Sequence, residues 1–213
     1  MPFAARAGLS PTITGMALML VATIAFTAMQ TVVRLVASDP SNPLPPAELA
    51  FFRNLFGVVV LLPMLFRSGT SLLRTHRLGL HFVRAVCQSA GMICFFIALT
   101  LIPLAEITAL SFSAPLFATV FAVIILGERI RVRRISALIV GFIGVVVALR
   151  PGAEALSVGA ILVLGSSFMW AMAMTMIKSL SKSDGAVTIT LYAGLFMVPI
   201  TLVPSLYDWV PPT

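Results

Sequence analysis

The chain predicts an all-α membrane protein, a polytopic helical bundle of about seven transmembrane helices, built as a five-helix unit plus the start of an inverted repeat. Three observations carry this expectation. Of the 213 residues, 60% are hydrophobic and only 10% charged, with a mean hydropathy of +1.09, whereas soluble domains carry roughly 25% charge. Apolar stretches long enough to span a bilayer, about 20 residues each, recur with short polar breaks between them. The basic residues gather in alternate breaks. An outer-membrane barrel would show alternating segments of roughly ten residues, and the runs here are longer and do not alternate. The net charge of +7 suggests a nucleic-acid partner only until the placement of the basic residues is considered. The partners expected are the lipid bilayer and a small-molecule solute, with no nucleic acid.

The first span runs from about Ile13 to Leu35 after a leader (residues 1–12) holding Arg6. It is too long for a secretory signal, whose apolar region is roughly 7 to 15 residues. The second covers about Pro46 to Phe66, with Pro45-Pro46 placing proline in the first turn, where a missing N–H costs nothing. The third, about Leu80 to Leu101, is separated from the fourth, about Leu104 to Leu126, only by Ile102-Pro103, so the two form a tight hairpin. Ser111, Ser113 and Pro115 interrupt the fourth span and predict a kink that frees a backbone carbonyl. The fifth runs from about Ile135 to Leu149, and Ala137, Gly141 and Gly144 give it a small-residue face suited to close helix approach. The sixth covers about Val158 to Leu180 and the seventh about Ala186 to Leu206.

Lys and Arg in short loops mark the cytoplasmic side. With the N-terminus inside, Arg6, Arg67, Arg74, Arg77, Arg129, Arg131, Arg133, Arg134, Lys178 and Lys182 all fall inside, ten of the 14 basic residues. The opposite loops hold Arg150, while Arg34, Arg53 and Arg84 lie within or at the ends of spans. The expected location is the cytoplasmic (inner) membrane.

The chain also resembles itself at an offset of 144 residues: Gly15, Phe26, Thr31 and Arg34 align with Gly159, Trp170, Thr175 and Lys178. "FFRNLFGVVVLLP" in the second span likewise resembles "TLYAGLFMVPITLVP" in the seventh. A unit of five spans, residues 13–150, must be followed by one inserted the other way up, so 151–213 reads as a partial second unit, inverted, as in many carriers. Relative to five plus five spans, the last three are missing, which points to a fragment or to a chain completed by a partner chain.

"FFRNLFG", "PLAEITALSFSAPL", "FMWAM" and the stretch from Ser113 through Gly127-Glu128-Arg129 to Arg150-Pro151-Gly152 resemble the EamA-like family of the drug/metabolite transporter superfamily. The resemblance covers essentially the whole chain from the first span onward. It implies ten helices in two inverted five-helix units, and a carrier that moves a small metabolite or drug-like solute by alternating access.

Within the spans, ionisable and amide residues are the functional candidates, because an Arg at the bilayer centre costs roughly 2.5 to 3.5 kcal/mol on insertion scales. Arg53 lies about 10 Å into the second span at 1.5 Å per residue, where it can bind an anionic group or pair structurally with Glu48 or Glu106. Arg84 sits one turn inside the third span, where its side chain can snorkel outward. Gln30 precedes Arg34 by one turn and Gln88 follows Arg84 by one turn, which makes two polar stripes. Trp170 falls in mid-span rather than in an interfacial belt. The substrate-contact candidates are therefore Gln30, Arg53, Gln88 and Trp170, and the coupling or gating candidates are Arg84 and Glu106. Cys87 and Cys94 share a helix face too far apart for a disulfide and read as packing residues. His76 and His81 stand without acidic neighbours in sequence, which argues against an integral-membrane enzyme. No catalytic residue, metal site or cofactor is expected. Beside the carrier stands one alternative, a non-transporting subunit or truncated carrier.

Overall fold

The computed structural model describes residues 10–37, 44–68, 73–127, 132–149, 157–207 and 209–210. Arg6, Asp39, Glu128, Arg129, Arg131, Arg150, Glu154 and Asp208 lie outside them. Eight α-helices follow one another, α1 (Pro11–Ala37), α2 (Pro46–Ser68), α3 (Leu78–Leu101), α4 (Leu104–Ser111), α5 (Ala114–Ile124), α6 (Val132–Leu149), α7 (Val158–Leu180) and α8 (Ala186–Ser205), and no strand occurs among the described residues. Six segments are long and apolar enough to cross a membrane, with α4 and α5 together forming one of them, and the apolar part of α6, Ile135–Gly144, is shorter. In hydrocarbon each backbone N–H and C=O must be paired within the chain, and helices meet that demand locally.

The chain divides into two compact units, Met1–Pro43 and Leu44–Thr213. In the first, α1 satisfies its hydroxyls on its own backbone: Thr23, Thr27 and Thr31 donate to the carbonyls of Met19, Thr23 and Thr27 at 2.8, 3.0 and 3.0 Å.

The second unit is organised around α3. It runs antiparallel to α7, since Arg77 meets Ser179 at the start of α3 while a Cβ at Gly159, the start of α7, would stand 2.6 Å from Ile102 at its end. α2 runs antiparallel to α8: Asn54 meets Thr201, and further along α2, Val58 lies against Gly194. Near the start of α2, Trp209 packs edge-on against Phe51 and tilted against Phe52, with ring centroids 6.1 and 5.8 Å away. There the buried Glu48 accepts the Val210 N–H at 3.1 Å. α5 meets α7 through Phe117, Phe121 and Phe168.

The fourth expected span is two helices rather than one. Phe112 and Ser113 donate to carbonyls three residues back, at 3.1 and 3.0 Å, which tightens the chain at the break. Pro115 has no N–H to give the Ser111 carbonyl, and α5 restarts around it. Gly127 ends this segment at φ +65, a left-handed conformation that glycine adopts without strain. α7 begins with an N-cap, Ser157 Oγ accepting the Ala160 N–H at 3.2 Å.

The expected small-residue face of α6 makes no close approach: nothing lies within 4 Å of a Cβ built at Gly141 or Gly144. Close approach belongs instead to Gly91, Gly159 and Gly194. A Cβ at Gly91 would stand 3.1 Å from both Met169 Cβ and Trp170 Cδ1 and 3.2 Å from the Ser166 carbonyl oxygen. Neither the Met169 Cβ nor the carbonyl can swing away as a side-chain tip does. Gly91→Val is therefore expected to lower stability by about 1 to 3 kcal/mol through overpacking, while Gly141→Ala leaves it unchanged or higher. Thermal unfolding in detergent compares the two, and equal melting of Gly91→Val and wild type contradicts a tight α3–α7 seam.

Candidate functional site

Between α2, α3 and α8 lies an open cleft of about 250 Å³ lined by Arg53, Asn54, Gly57, Leu61, Gln88, Thr190, Ala193, Gly194 and Met197. Arg53 stands about 10 Å from the start of α2, and Gln88 about 15 Å from the start of α3, at 1.5 Å per residue. Against a hydrocarbon core about 30 Å thick, both lie well inside their spans. Gly57 leaves open space here, with nothing within 4 Å of a Cβ built on it, whereas Gly194 admits the Val58 side chain.

Arg53 is half-buried and its Nη1 is directed at Met92 Sδ. No carboxylate pairs with it among the described residues, so neither Glu48 nor Glu106 fills that role. Arg84 does not snorkel. Its side chain is turned inward at 4% exposure, donating from Nη1 to the Ile189 carbonyl at 2.9 Å and from Nη2 to Gln88 Oε1 at 3.0 Å. The Arg84–Gln88 bond is the polar stripe expected on α3, and the bond to the Ile189 carbonyl ties α3 to α8 beside the cleft.

Two of the four expected substrate-contact residues, Arg53 and Gln88, thus share the cleft. Trp170 lies instead in the α3–α7 seam, its ring centroid 5.1 Å from that of Phe95. Gln30 belongs to α1, in the other unit. Glu106 occupies the first turn of α4, where a carboxylate suits the helix N-terminus. Asn54 and Thr190 line the cleft although sequence reasoning passed over them. Asn54 was legible as a second polar residue beside Arg53, but Thr190 is one hydroxyl among many. Cys87 packs as expected, its Sγ 3.8 Å from Met172 Sδ.

A second polar cluster ties the start of α3 to the α7–α8 turn and corrects the reading of His81 as unpartnered. His81, fully buried, meets Asp184 Oδ2 through Nε2 at 2.7 Å, and Thr75 Oγ1 donates to the same oxygen at 2.7 Å. A carboxylate only accepts, so Nε2 carries the proton. Tyr192 stacks on His81 at 4.9 Å between centroids and donates to the Leu73 carbonyl at 2.7 Å, while the Arg77 guanidinium holds the Ser179 carbonyl and hydroxyl at 3.0 and 3.1 Å. This clasp joins the segment before α3 to the α7–α8 turn. Among the described residues no three His, Cys, Asp or Glu side chains gather as a metal site.

A helical bundle with six apolar crossings and a polar cleft between apolar spans defines a multi-pass membrane protein. The model of the EamA-like transporter family matches residues 13–150, well over half of the chain, and the chain belongs to that family. It is 31% identical over 157 residues to a riboflavin transporter of Brucella anthropi, covering 74% of this chain and 55% of that protein. An S-adenosylmethionine uptake transporter of Rickettsia felis is 31% identical over 166 residues, covering 78% of this chain and 56% of the relative. The chain thus spans a little over half the length of these relatives. One crystal structure superposes with a TM-score of 0.62 at 18% identity, over 91% of this chain and 69% of that one, a likeness of fold alone.

The clasp makes a pH-dependent contribution with a definite sign. Hydrogen bonds from Thr75 and then His81 hold the Asp184 carboxyl below its ordinary value of 3.8. A carboxylate with a lowered folded-state pKa stabilises the fold above its unfolded pKa, and that stability is lost as pH falls through the folded value. Melting temperature should therefore drop on acidification below the usual carboxylate range, and Asp184→Asn should flatten that acid limb. An unchanged acid limb in Asp184→Asn would assign it to other groups.

Proposed function

We propose that the chain is part of a secondary carrier of the drug/metabolite class, moving a small solute across the cytoplasmic membrane by alternating access. The observation that carries this reading is the cleft between apolar spans, which holds an arginine with no carboxylate partner among the described residues. An ionisable side chain there is costly and marks a solute path. The names of the two relatives, both transporters, support the same class. Arg53 and Gln88 contact solute in the cleft, Gln30 and Trp170 are further solute-contact candidates outside that lining, and Arg84 and Glu106 serve coupling or gating. Residues 151–213 belong to the second, inverted unit, and the antiparallel run of α2 and α8 supports that arrangement. The N-terminus faces the cytoplasm, as the distribution of Lys and Arg supports. The partners are lipid, the solute and, for the remaining spans, further chain or a partner chain. Transport rather than catalysis is the activity.

Reconstituted protein in liposomes should show saturable counterflow of riboflavin or S-adenosylmethionine, the solutes in the relatives' names. Arg53→Ala should cut kcat/KM by about tenfold or more, the loss expected when a charged hydrogen bond is removed. Wild-type liposomes that exchange neither solute would favour the non-transporting subunit, and unchanged flux in Arg53→Ala would remove Arg53 from the site.

A further inference from the structure

The hydrogen bonds around the cleft decide which groups it presents to a solute. A guanidinium has donors and no acceptor, so Gln88 can meet Arg84 only with Oε1, and its amide N–H groups are left over. Thr201 commits its proton to the Met197 carbonyl at 2.8 Å. It can therefore only accept from Asn54, whose Nδ2 is 3.4 Å away, and Asn54 Oδ1 remains an acceptor. Thr190 likewise donates to the Ala186 carbonyl at 2.9 Å and keeps its lone pairs. Arg53 has a single side-chain partner, the Met92 sulfur, a weak acceptor, and most of its donors are unused. Arg53 and Gln88 thus offer N–H groups and a positive charge, Asn54 and Thr190 offer acceptors, and no acidic residue is among the lining side chains.

We infer that the cleft is built for a small organic carboxylate bearing a hydroxyl or amino group close to the acid. The carboxylate takes the donors of Arg53 and Gln88, and the hydroxyl or amine donates to Asn54 Oδ1 and Thr190 Oγ1. The inference rests on the carrier reading and deepens it by naming the solute class. A neutral apolar solute leaves the guanidinium donors unpaired, and a purely cationic one meets a charge of its own sign. Charge-assisted hydrogen bonds are about twice as strong as neutral ones, which makes the carboxylate the dominant recognition element.

The test is equilibrium binding of radiolabelled L-lactate, L-serine and S-adenosylmethionine, each beside its methyl ester, to the purified protein in phosphatidylcholine nanodiscs. The expected result is at least one acid bound about tenfold or more tighter than its ester. Arg53→Gln should abolish the difference while Arg53→Lys retains part of it, with melting temperatures confirming that both variants fold. Thr190→Val should narrow the preference for lactate over propionate. The assignment is overturned if acid and ester bind alike, if no member of the panel binds, or if folded Arg53→Gln still discriminates. A lipid headgroup can deliver the same anion. Loss of acid binding when phosphatidylglycerol is added to the nanodiscs would give the site to lipid and overturn the assignment to a free solute. Counterflow on the same preparations keeps the two readings apart: binding without exchange removes the carrier and leaves the site, and exchange indifferent to esterification removes the site and leaves the carrier.

Discussion

The ties between helices in the second unit answer to one constraint: a polar group carried into hydrocarbon is costly unless the protein itself satisfies it. Helices meet it for the backbone, and the hydroxyls of Thr119, Ser166, Thr175 and Thr201 meet it by bonding to carbonyls three or four residues back. The two arginines cannot be satisfied within their own helices. Arg84 reaches across to the Ile189 carbonyl and is thereby fixed between α3 and α8. Arg53 finds only a sulfur, and the space beside it is the cleft. The difference between the two cations is that Arg84 is tied between helices, whereas Arg53 borders open space.

Bringing α3 close enough to α7 and α8 for these ties requires small residues, because dispersion contacts rather than the hydrophobic effect hold helices together in lipid. Gly91 and Gly159 supply the close approaches between α3 and α7, and Gly194 lets α8 meet Val58 of α2. Gly91 also sets Trp170 beside Phe95, so the indole closes the α3–α7 seam. At the start of α3 the same helices are joined by the His81, Asp184 and Thr75 clasp. The seam and the clasp therefore fix, from two places along α3, the side of the helix on which Gln88 and the cleft lie.

Much of the fold was legible in the sequence. The spans fall within a few residues of their expected bounds, and Ser111, Ser113 and Pro115 correctly marked an interruption, although a full break into α4 and α5 was not foreseen. The site was legible in part. Arg53 and Gln88 stood out because ionisable and amide groups are rare in apolar runs, whereas Thr190 carried no such contrast. One reading failed. His81 has no acid near it in sequence, while the α6 glycines meet no neighbour among the described residues. Neighbours along the chain do not reveal neighbours across it, and Asp184 lies 103 residues from His81.

The sequence by itself determined the helical class, the succession of spans and the places where they break. Those properties are sums over local windows: hydropathy over about 20 residues, proline's missing N–H, glycine's access to positive φ. Only the tertiary structure decided which polar residues meet, that Arg84 turns inward, and which end of each amide faces the cleft. These follow from partners on other helices, since an acceptor on Gln88 is spent or spared according to where the Arg84 guanidinium lies. Donor and acceptor character at the cleft is thus a property of the assembled helices, and no single span carries it.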